Sequence, residues 1–254
     1  MRHYIKISLL ALLFASFSIE ASAWCKTTHK AILKAVELRL SKRANKEIVA
    51  ILGTPLSEVE FSKERKVTTL NNEGRSVTRE GDDAVVRLEN ALFALDNLKA
   101  YTPENKKKAL LTAIYHTVDI HSPRNIRIEG LLEDDFEFCH NNGRERTNPR
   151  FKTTKLTWFR LWGKLFPGRH SAFSTDMYCT DIALATRGKA NKYIGGSPRK
   201  WVEEVGRDVQ GVLKYCHAGS EIDLHILLPL EDIHNECMYR AIYRLAYQLN
   251  HAFK

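Results

Sequence analysis

The chain has 254 residues, of which 44% are hydrophobic and 27% charged, and its formal net charge is +9. This length is sufficient for one good-sized domain with a substantial core, and the lack of internal repeats and low-complexity tracts in the sequence excludes repeat and low-complexity proteins. A basic protein tends to meet polyanions such as nucleic acid, anionic lipid or polysaccharide. Positive charge that only keeps the protein soluble is an equally good explanation.

The chain begins with the features of a signal peptide. Arg2 and Lys6 give it a charged start, an apolar run covers residues 7–17, and an Ala-x-Ala cleavage site lies at residues 21–23. The apolar run is too short to span a bilayer as a permanent helix, and no second apolar span follows it in the sequence, so we expect no transmembrane segment. We predict that residues 1–23 are removed, which leaves 24–254 as a secreted or periplasmic domain with a net charge of about +8.

Cleavage at this site makes Trp24 the first residue of the mature chain. Its α-amino group titrates near neutrality, so the deprotonated form is available as a nitrogen ligand. Together with the Trp24 carbonyl oxygen, it can close a five-membered chelate on a metal ion. His29 follows in the same segment and supplies an imidazole, which is a common zinc ligand. The alternative is an ordinary exported protein that happens to start with Trp24 and carries His29 on a helix surface.

The segment 109–125 carries the next candidate residues. Thr102 caps a helix whose first position is a proline, and Pro123 marks the end of that helix. His116 and Asp119 share one face of it because they are three residues apart. A carboxylate is costly to bury on an apolar helix unless a charged group pairs with it, and a zinc ion is one such partner.

Basic and aromatic side chains are interleaved over residues 144–169. Arg150 and Arg160, with Trp158 and Trp162, are typical of a surface that binds single-stranded nucleic acid, where arginines clamp phosphates and aromatic rings stack on bases. The same composition suits contact with an anionic membrane surface. A solvated basic loop whose tryptophans belong to the core is at least as good an explanation.

Apolar residues at helical spacing predict several helices, and no segment alternates convincingly with the period of a strand. We therefore expect an all-α fold, a single compact multi-helix domain. Asp82 or Asp83 is expected to cap one of these helices. Besides the helix that starts at Thr102, the predicted helices cover residues 28–40, 45–52, 82–98, 175–186, 197–216 and 230–249.

Five cysteines lie in the predicted mature chain. An exported protein is expected to oxidise them, which gives two disulfide bridges and one remaining thiol. The pairing is not readable from the sequence. The five residues are Cys25, Cys139, Cys179, Cys216 and Cys237.

These segments resemble the S1/P1 nuclease family, relatives of the zinc-dependent bacterial phospholipases C. Mature members of the family begin with Trp and have His five residues later, as Trp24 and His29 do. Their central helix carries the pattern His-x-x-x-Asp-x-His-Gln-Pro-Leu-His. Residues 115–125 match the specified positions of this pattern at Asp119, His121 and Pro123, and Ile120 stands where the pattern takes any residue. Two late segments, 198–204 and 240–250, are similar to the family's Trp-Ala-Glu-Glu-Ser stretch and to its closing helix.

The chain departs from the family at several metal positions. Tyr115 and Asn125 stand where the family has zinc-binding histidines. The family also has a His and an Asp in an Asn-Leu-His-x-x-Trp-Asp element, and residues 155–164 contain neither. Trp162 and Gly163 match the position of the Trp-Asp pair in that element.

The resemblance implies a fold of the phospholipase C/P1 nuclease type with three zinc ions at the bottom of a cleft, two of which hold a hydroxide for attack on phosphorus. It implies that Trp24, His29 and Asp119 are ligands of one zinc ion. It also implies that Asp119 is a catalytic residue that bridges to a second zinc ion. His116 and His121 are candidates to replace part of the missing ligand set.

The resemblance leaves three possible functions. The first is a secreted zinc-dependent phosphodiesterase that hydrolyses single-stranded nucleic acid or 3′-nucleotides. The second is a family relative with a degenerate metal site that acts as a polyanion-binding protein. The third is a phospholipase C-like enzyme that acts on phosphodiester headgroups. The missing histidines favour the second function, whereas the retained Trp24, His29 and Asp119 favour a bound metal ion.

Overall fold

The computed structural model describes Trp24 and residues 26–60, 67–77, 83–132, 136–140, 154–166, 174–222 and 224–254, so the predicted signal peptide lies outside the described residues. The described part is mostly helical, as the sequence predicts. Its α-helices are α1 (Lys26–Glu37), α2 (Lys42–Leu52), α3 (Ala84–Asp96), α4 (Pro103–Ile120), α5 (Trp158–Arg160), α6 (Thr175–Ala185), α7 (Ala190–Tyr193), α8 (Pro198–Leu213) and α9 (Leu224–Ala252). Short 3₁₀ turns lie at Leu56–Glu58, Leu98–Ala100 and Pro123–Asn125, and α5 continues into a π-helical turn at Leu161–Leu165.

The helix ends follow the capping chemistry of the sequence. The Thr102 side chain accepts a hydrogen bond from the Asn105 N–H at the start of α4, where the next residue is a proline, as predicted. The Asp83 carboxylate accepts one from the Val85 N–H at 2.7 Å and so caps α3. Gly53 ends α2 with φ of 80°, a conformation that only glycine adopts readily.

The described residues also contain five short strands, and the sequence did not predict these strands. Strand β1 (Thr68–Leu70) pairs in parallel with β2 (Ile126–Ile128). Strand β3 (Glu137–His140) lies between β4 (Thr154–Thr157), which is antiparallel to it, and β5 (Glu221–Ile222), which is parallel. Strands of two to four residues are too short to show a period of two in sequence, because that pattern needs several alternations.

Helix α4 lies at the centre of the described fold. It packs against α3, α8 and α9, while α1 packs against α6 and α9. The 3₁₀ turn that follows α4 packs against α5 and its π-helical continuation. These contacts place the carboxyl end of α4, which carries Asp119, inside the molecule. No helix in the described ranges is both long and apolar enough to cross a membrane.

The cysteines correct the prediction of two disulfide bridges. Cys179, Cys216 and Cys237 are buried free thiols. The Cys179 thiol donates to the Ala31 carbonyl at 3.4 Å, and burial raises the pKa of all three thiols. With three of the five cysteines free, two bridges cannot form. The side chains of the other two cysteines lie outside the described residues.

Candidate metal site at the carboxyl end of helix α4

The Asp119 side chain lies in the last turn of α4 and is buried. Burial raises the pKa of this carboxyl from 3.8 to about 7, because a carboxylate removed from water loses its hydration. The positive charge of Arg124 acts in the opposite direction and lowers the pKa, but it does not offset burial. An ionised carboxylate in this position destabilises the fold unless a cation pairs with it, so Asp119 is a candidate to bind a cation.

Trp24 is fixed directly beside this turn. Its indole Nε1 donates a hydrogen bond of 3.1 Å to the carbonyl of Val118, the residue before Asp119, and the Trp24 side chain is fully buried. The Trp24 side chain therefore packs against the end of α4. A ligand set made of the Trp24 amino group and Asp119 requires these two residues to be neighbours, and the hydrogen bond places the Trp24 indole at the residue before Asp119.

His29 lies on α1, on the side of the helix that faces the core. Burial lowers the pKa of its imidazole well below the usual 6.5, so the ring is neutral at physiological pH. Neutral imidazole is the form that ligates metal ions. Trp24 and His29 thus reach the interior from one segment of the chain, and Asp119 reaches it from α4.

His234 is a further buried residue that the sequence did not single out. It lies in α9, and its ring makes an edge contact with Trp24 at a centroid distance of 4.9 Å. It also lies parallel to the Trp162 ring at 6.4 Å and contacts Phe166 at 5.5 Å. A histidine near the start of a long helix gives no sequence signal by itself, and only the packing of α9 shows that this ring adjoins the predicted first residue.

Arg124 is the other residue that the sequence did not assign. It lies in the 3₁₀ turn after α4 and is buried at 3% exposure. Its guanidinium Cζ lies 3.1 Å from the centroid of the Phe159 ring, a cation–π contact. Because its charge acts on the Asp119 carboxyl, Arg124 belongs to the candidate site.

The two additional candidate histidines of α4 have different surroundings. His116 is buried within α4, one turn before Asp119. His121 shares hydrogen bonds through both ring nitrogens, Nδ1 with the Thr117 carbonyl at 2.6 Å and Nε2 with Arg244 Nη1 at 3.0 Å. Since arginine only donates, Nε2 accepts and Nδ1 carries the proton. We therefore do not include His121 in the metal site, because neither nitrogen has a lone pair left for a metal ion.

The residues that replace the family's histidines hold the backbone in place. The Tyr115 hydroxyl donates to the Glu60 carbonyl at 2.6 Å. The Asn125 side-chain amide donates to the Asp119 carbonyl at 3.3 Å and thereby ties the 3₁₀ turn to the end of α4. Both side chains thus make contacts that stabilise the chain around the candidate site.

The predicted base-stacking tryptophans are part of the core, which corrects their assignment to a nucleic-acid surface. Trp158 is 2% and Trp162 1% exposed, and Trp158 Nε1 donates to the Pro123 carbonyl at 2.8 Å. A base could reach neither ring without repacking of the core. Arg160 is exposed, and Arg150 lies outside the described residues.

The candidate donors for a metal ion come from three residues. Two buried side chains, His29 and Asp119, and the backbone atoms of Trp24 are the kinds of donor that zinc takes. Within the described residues, no three His, Cys, Asp or Glu side chains come together in a group that could hold a metal ion.

Comparison with known proteins finds no matching family model and no matching curated protein. The resemblance to the S1/P1 nuclease family therefore depends only on the residues of the sequence that carry it.

Proposed function

We propose that this chain is an exported protein of the phospholipase C/P1 nuclease type that holds one zinc ion and hydrolyses phosphodiesters of single-stranded nucleic acid or 3′-nucleotides. The observation that supports the proposal most is the hydrogen bond from the indole of Trp24, the predicted first residue of the mature chain, to the carbonyl of Val118, the residue before Asp119. The net positive charge of the chain supports a polyanionic substrate.

Each ligand has a defined part in this site. The Trp24 amino group and carbonyl would hold the metal ion as a chelate, the neutral His29 imidazole would donate one nitrogen lone pair, and Asp119 would contribute a carboxylate oxygen. A bound zinc ion supplies a water molecule whose pKa is about 7 and stabilises negative charge on a phosphate oxygen. Asp119 must be ionised to bind, and pairing with a cation removes the penalty that burial places on the carboxylate.

A second candidate function is the binding of polyanions without hydrolysis. It is supported by the hydrogen bonds of Tyr115 and Asn125, which give structural roles to two positions where the family binds zinc. The first function requires that one zinc ion held by Trp24, His29 and Asp119 is sufficient for hydrolysis. The second requires only a basic surface, to which the exposed Arg160 contributes.

Hydrolysis assays on the mature chain test the proposal. We expect zinc-dependent cleavage of single-stranded nucleic acid or of 3′-nucleotides, and we expect Asp119→Asn to remove this activity while His121→Ala retains it in the fraction that folds. Cleavage of phospholipid headgroups instead would favour the phospholipase C-like function. Binding of single strands that weakens steeply with salt, without cleavage, would favour the polyanion-binding function. If the mature chain shows neither cleavage nor binding, both proposals are wrong.

A further inference from the structure

The carboxyl-terminal half of α9 carries aromatic rings along one face. Tyr243, Tyr247 and His251 follow one another at intervals of four residues, so their side chains share that face. The rings of Tyr247 and His251 are nearly parallel, at 15°, and their centroids lie 6.3 Å apart. Tyr247 is 47% exposed, and His251 is exposed as well. This part of α9 therefore presents stacked rings to the solvent.

The start of α2 is held against the same part of α9. The Ser41 N–H donates to the Asn250 side-chain oxygen at 2.7 Å, and the Asn250 side-chain nitrogen donates to the Arg39 carbonyl at 3.0 Å. Ser41 also caps α2, because its side chain accepts a hydrogen bond from the Ala44 N–H at 3.1 Å. The first turn of α2 therefore adjoins the segment of α9 that carries the exposed rings.

Positive charge is concentrated where the two helices meet. Lys42 and Arg43 are exposed in the first turn of α2, and this described turn contains no acidic residue. Lys254 is exposed at the end of the chain, and its Nζ donates to His251 Nδ1 at 3.0 Å. Arg39 has a different role, because its guanidinium lies over the Tyr243 ring at 4.7 Å and donates to the Tyr243 hydroxyl at 3.2 Å.

Cations beside exposed aromatic rings suit a single strand of nucleic acid, because the cations neutralise phosphates and the rings stack on bases. We propose that an α9–α2 surface, formed by Tyr247, His251, Lys254, Lys42 and Arg43, binds single-stranded nucleic acid. A base stacks on the Tyr247 ring, and the cations contact neighbouring phosphates. The choice of nucleic acid among polyanions rests on the proposed function, although none of these residues belongs to the candidate metal site.

An anionic membrane also attracts cations, but it fits this surface less well. Helices that lie in a membrane interface bury an apolar face in the lipid. The exposed side chains of the α9–α2 surface are instead charged or carry a polar atom at the ring, as Tyr247 and His251 do.

Binding of labelled single strands to the mature chain tests the role of Tyr247. The protein is titrated in EDTA, so that zinc-dependent cleavage does not interfere, with oligothymidylate and with an abasic strand of the same length. We expect Tyr247→Ala to weaken binding of oligothymidylate at least about fivefold, because one base stack is lost. Binding of the abasic strand should not change. Tyr247→Phe keeps the ring and should bind both strands as the parent chain does.

Tyr215 provides a matched control for the ring. It is 78% exposed and follows the end of α8, outside the α9–α2 surface. Tyr215→Ala should therefore bind both strands as the parent chain does.

The salt dependence of binding tests the cations. For single strands, each lost phosphate contact lowers the slope of log K against log salt by about 0.7. Lys42→Gln combined with Arg43→Gln should lower this slope by about 1.4 for both strands, because two contacts are removed. Lys107→Gln combined with Lys108→Gln removes two exposed cations from α4 and should leave the slope unchanged.

The outcomes separate the surface from the proposed function. The α9–α2 surface is wrong if the parent chain binds oligothymidylate but Tyr247→Ala has no effect, or has the same effect as Tyr215→Ala or on the abasic strand. It is also wrong if the two double-charge variants have equal slopes, or if the parent chain binds phosphatidylserine vesicles and no oligothymidylate. Binding as expected without zinc-dependent cleavage would overturn the proposed hydrolysis and retain the surface.

Discussion

Asp119 and His121 lie two residues apart at the end of α4. Both are buried, but their surroundings differ in hydrogen bonding and in the effect of burial on their charge. His121 shares hydrogen bonds through both ring nitrogens, while burial raises the pKa of the Asp119 carboxyl to about 7. A buried polar group whose hydrogen bonds are complete contributes to the structure. A buried carboxyl whose ionised form is disfavoured weakens the structure, so its role is expected in binding. Proximity in sequence to a candidate metal ligand is therefore not enough to identify a second ligand.

The hydrogen bonds around His121 form a network that connects the end of α4 with three other helices. Arg244 of α9 donates to His121 Nε2, to the Tyr193 carbonyl at 3.1 Å and to the Glu204 carboxylate. Burial and the neighbouring Arg244 charge lower the pKa of His121 well below 6.5, so the ring is neutral and can accept from the guanidinium. The network joins the end of α4 with α7, α8 and α9, and its disruption should lower stability rather than weaken metal binding.

The largest expected effect is that of Arg244→Met. This change removes one partner of a buried ion pair and should lower the free energy of unfolding by about 3–5 kcal/mol. Arg240→Met is the control on the same helix, because the Arg240 side chain is more exposed than that of Arg244 (19% against 5%), and it should cost clearly less. Urea denaturation measures both values. Equal losses would show that the His121 network has no special structural role.

A comparison of His121→Ala with Asp119→Asn tests whether His121 is structural and Asp119 binds the metal ion. His121→Ala should cost about 2 kcal/mol, because Arg244 loses an acceptor, and it should leave the zinc content of the folded protein unchanged. Asp119→Asn should weaken zinc binding more than tenfold, because it removes a charged ligand. Zinc titration of both variants is the measurement. A loss of zinc in His121→Ala that equals the loss in Asp119→Asn would contradict the separation of the two roles.

The raised pKa of Asp119 predicts a pH dependence of stability in the metal-free protein. Since its folded pKa is about 7 and its usual value is 3.8, the folded state binds more protons than the unfolded state between these values. Stability should therefore fall as pH rises from about 4 to about 7, by up to roughly 1.4 kcal/mol per unit, and then level off. Asp119→Asn should remove this component when both proteins are unfolded with urea in EDTA. An identical pH profile in both proteins would show that the carboxyl is not desolvated.

The smallest expected effect is that of Tyr115→Phe. It removes the hydrogen bond to the Glu60 carbonyl and should cost about 0.5–1.5 kcal/mol. Zinc content should not change, because Tyr115 has a structural role in this chain. A loss of zinc binding in Tyr115→Phe would place its hydroxyl among the metal ligands and would contradict the role assigned to it.

The fold was more predictable from the sequence than the site. Helix α4 could be placed because Thr102 and the following proline determine its start locally. Arg124 and His234 could not be assigned, because their roles depend on Phe159 and Trp24, which are distant in sequence. The tryptophans of α5 resemble stacking residues in sequence, and only the packing of that segment shows that they are buried. Local chemistry thus predicts helix ends, while the partners of a buried charge come from the tertiary structure.

The ligand role of the Trp24 amino group distinguishes this account most directly from that of an ordinary helical protein. Native mass spectrometry would measure bound zinc in a chain that begins at Trp24 and in one that keeps Ala23 and is otherwise identical. In the longer chain the Trp24 nitrogen is an amide and is no longer a ligand. We predict about one zinc ion per chain for the first protein and a much lower content for the second. Equal zinc content in the two proteins, or none in either, would contradict the proposed site.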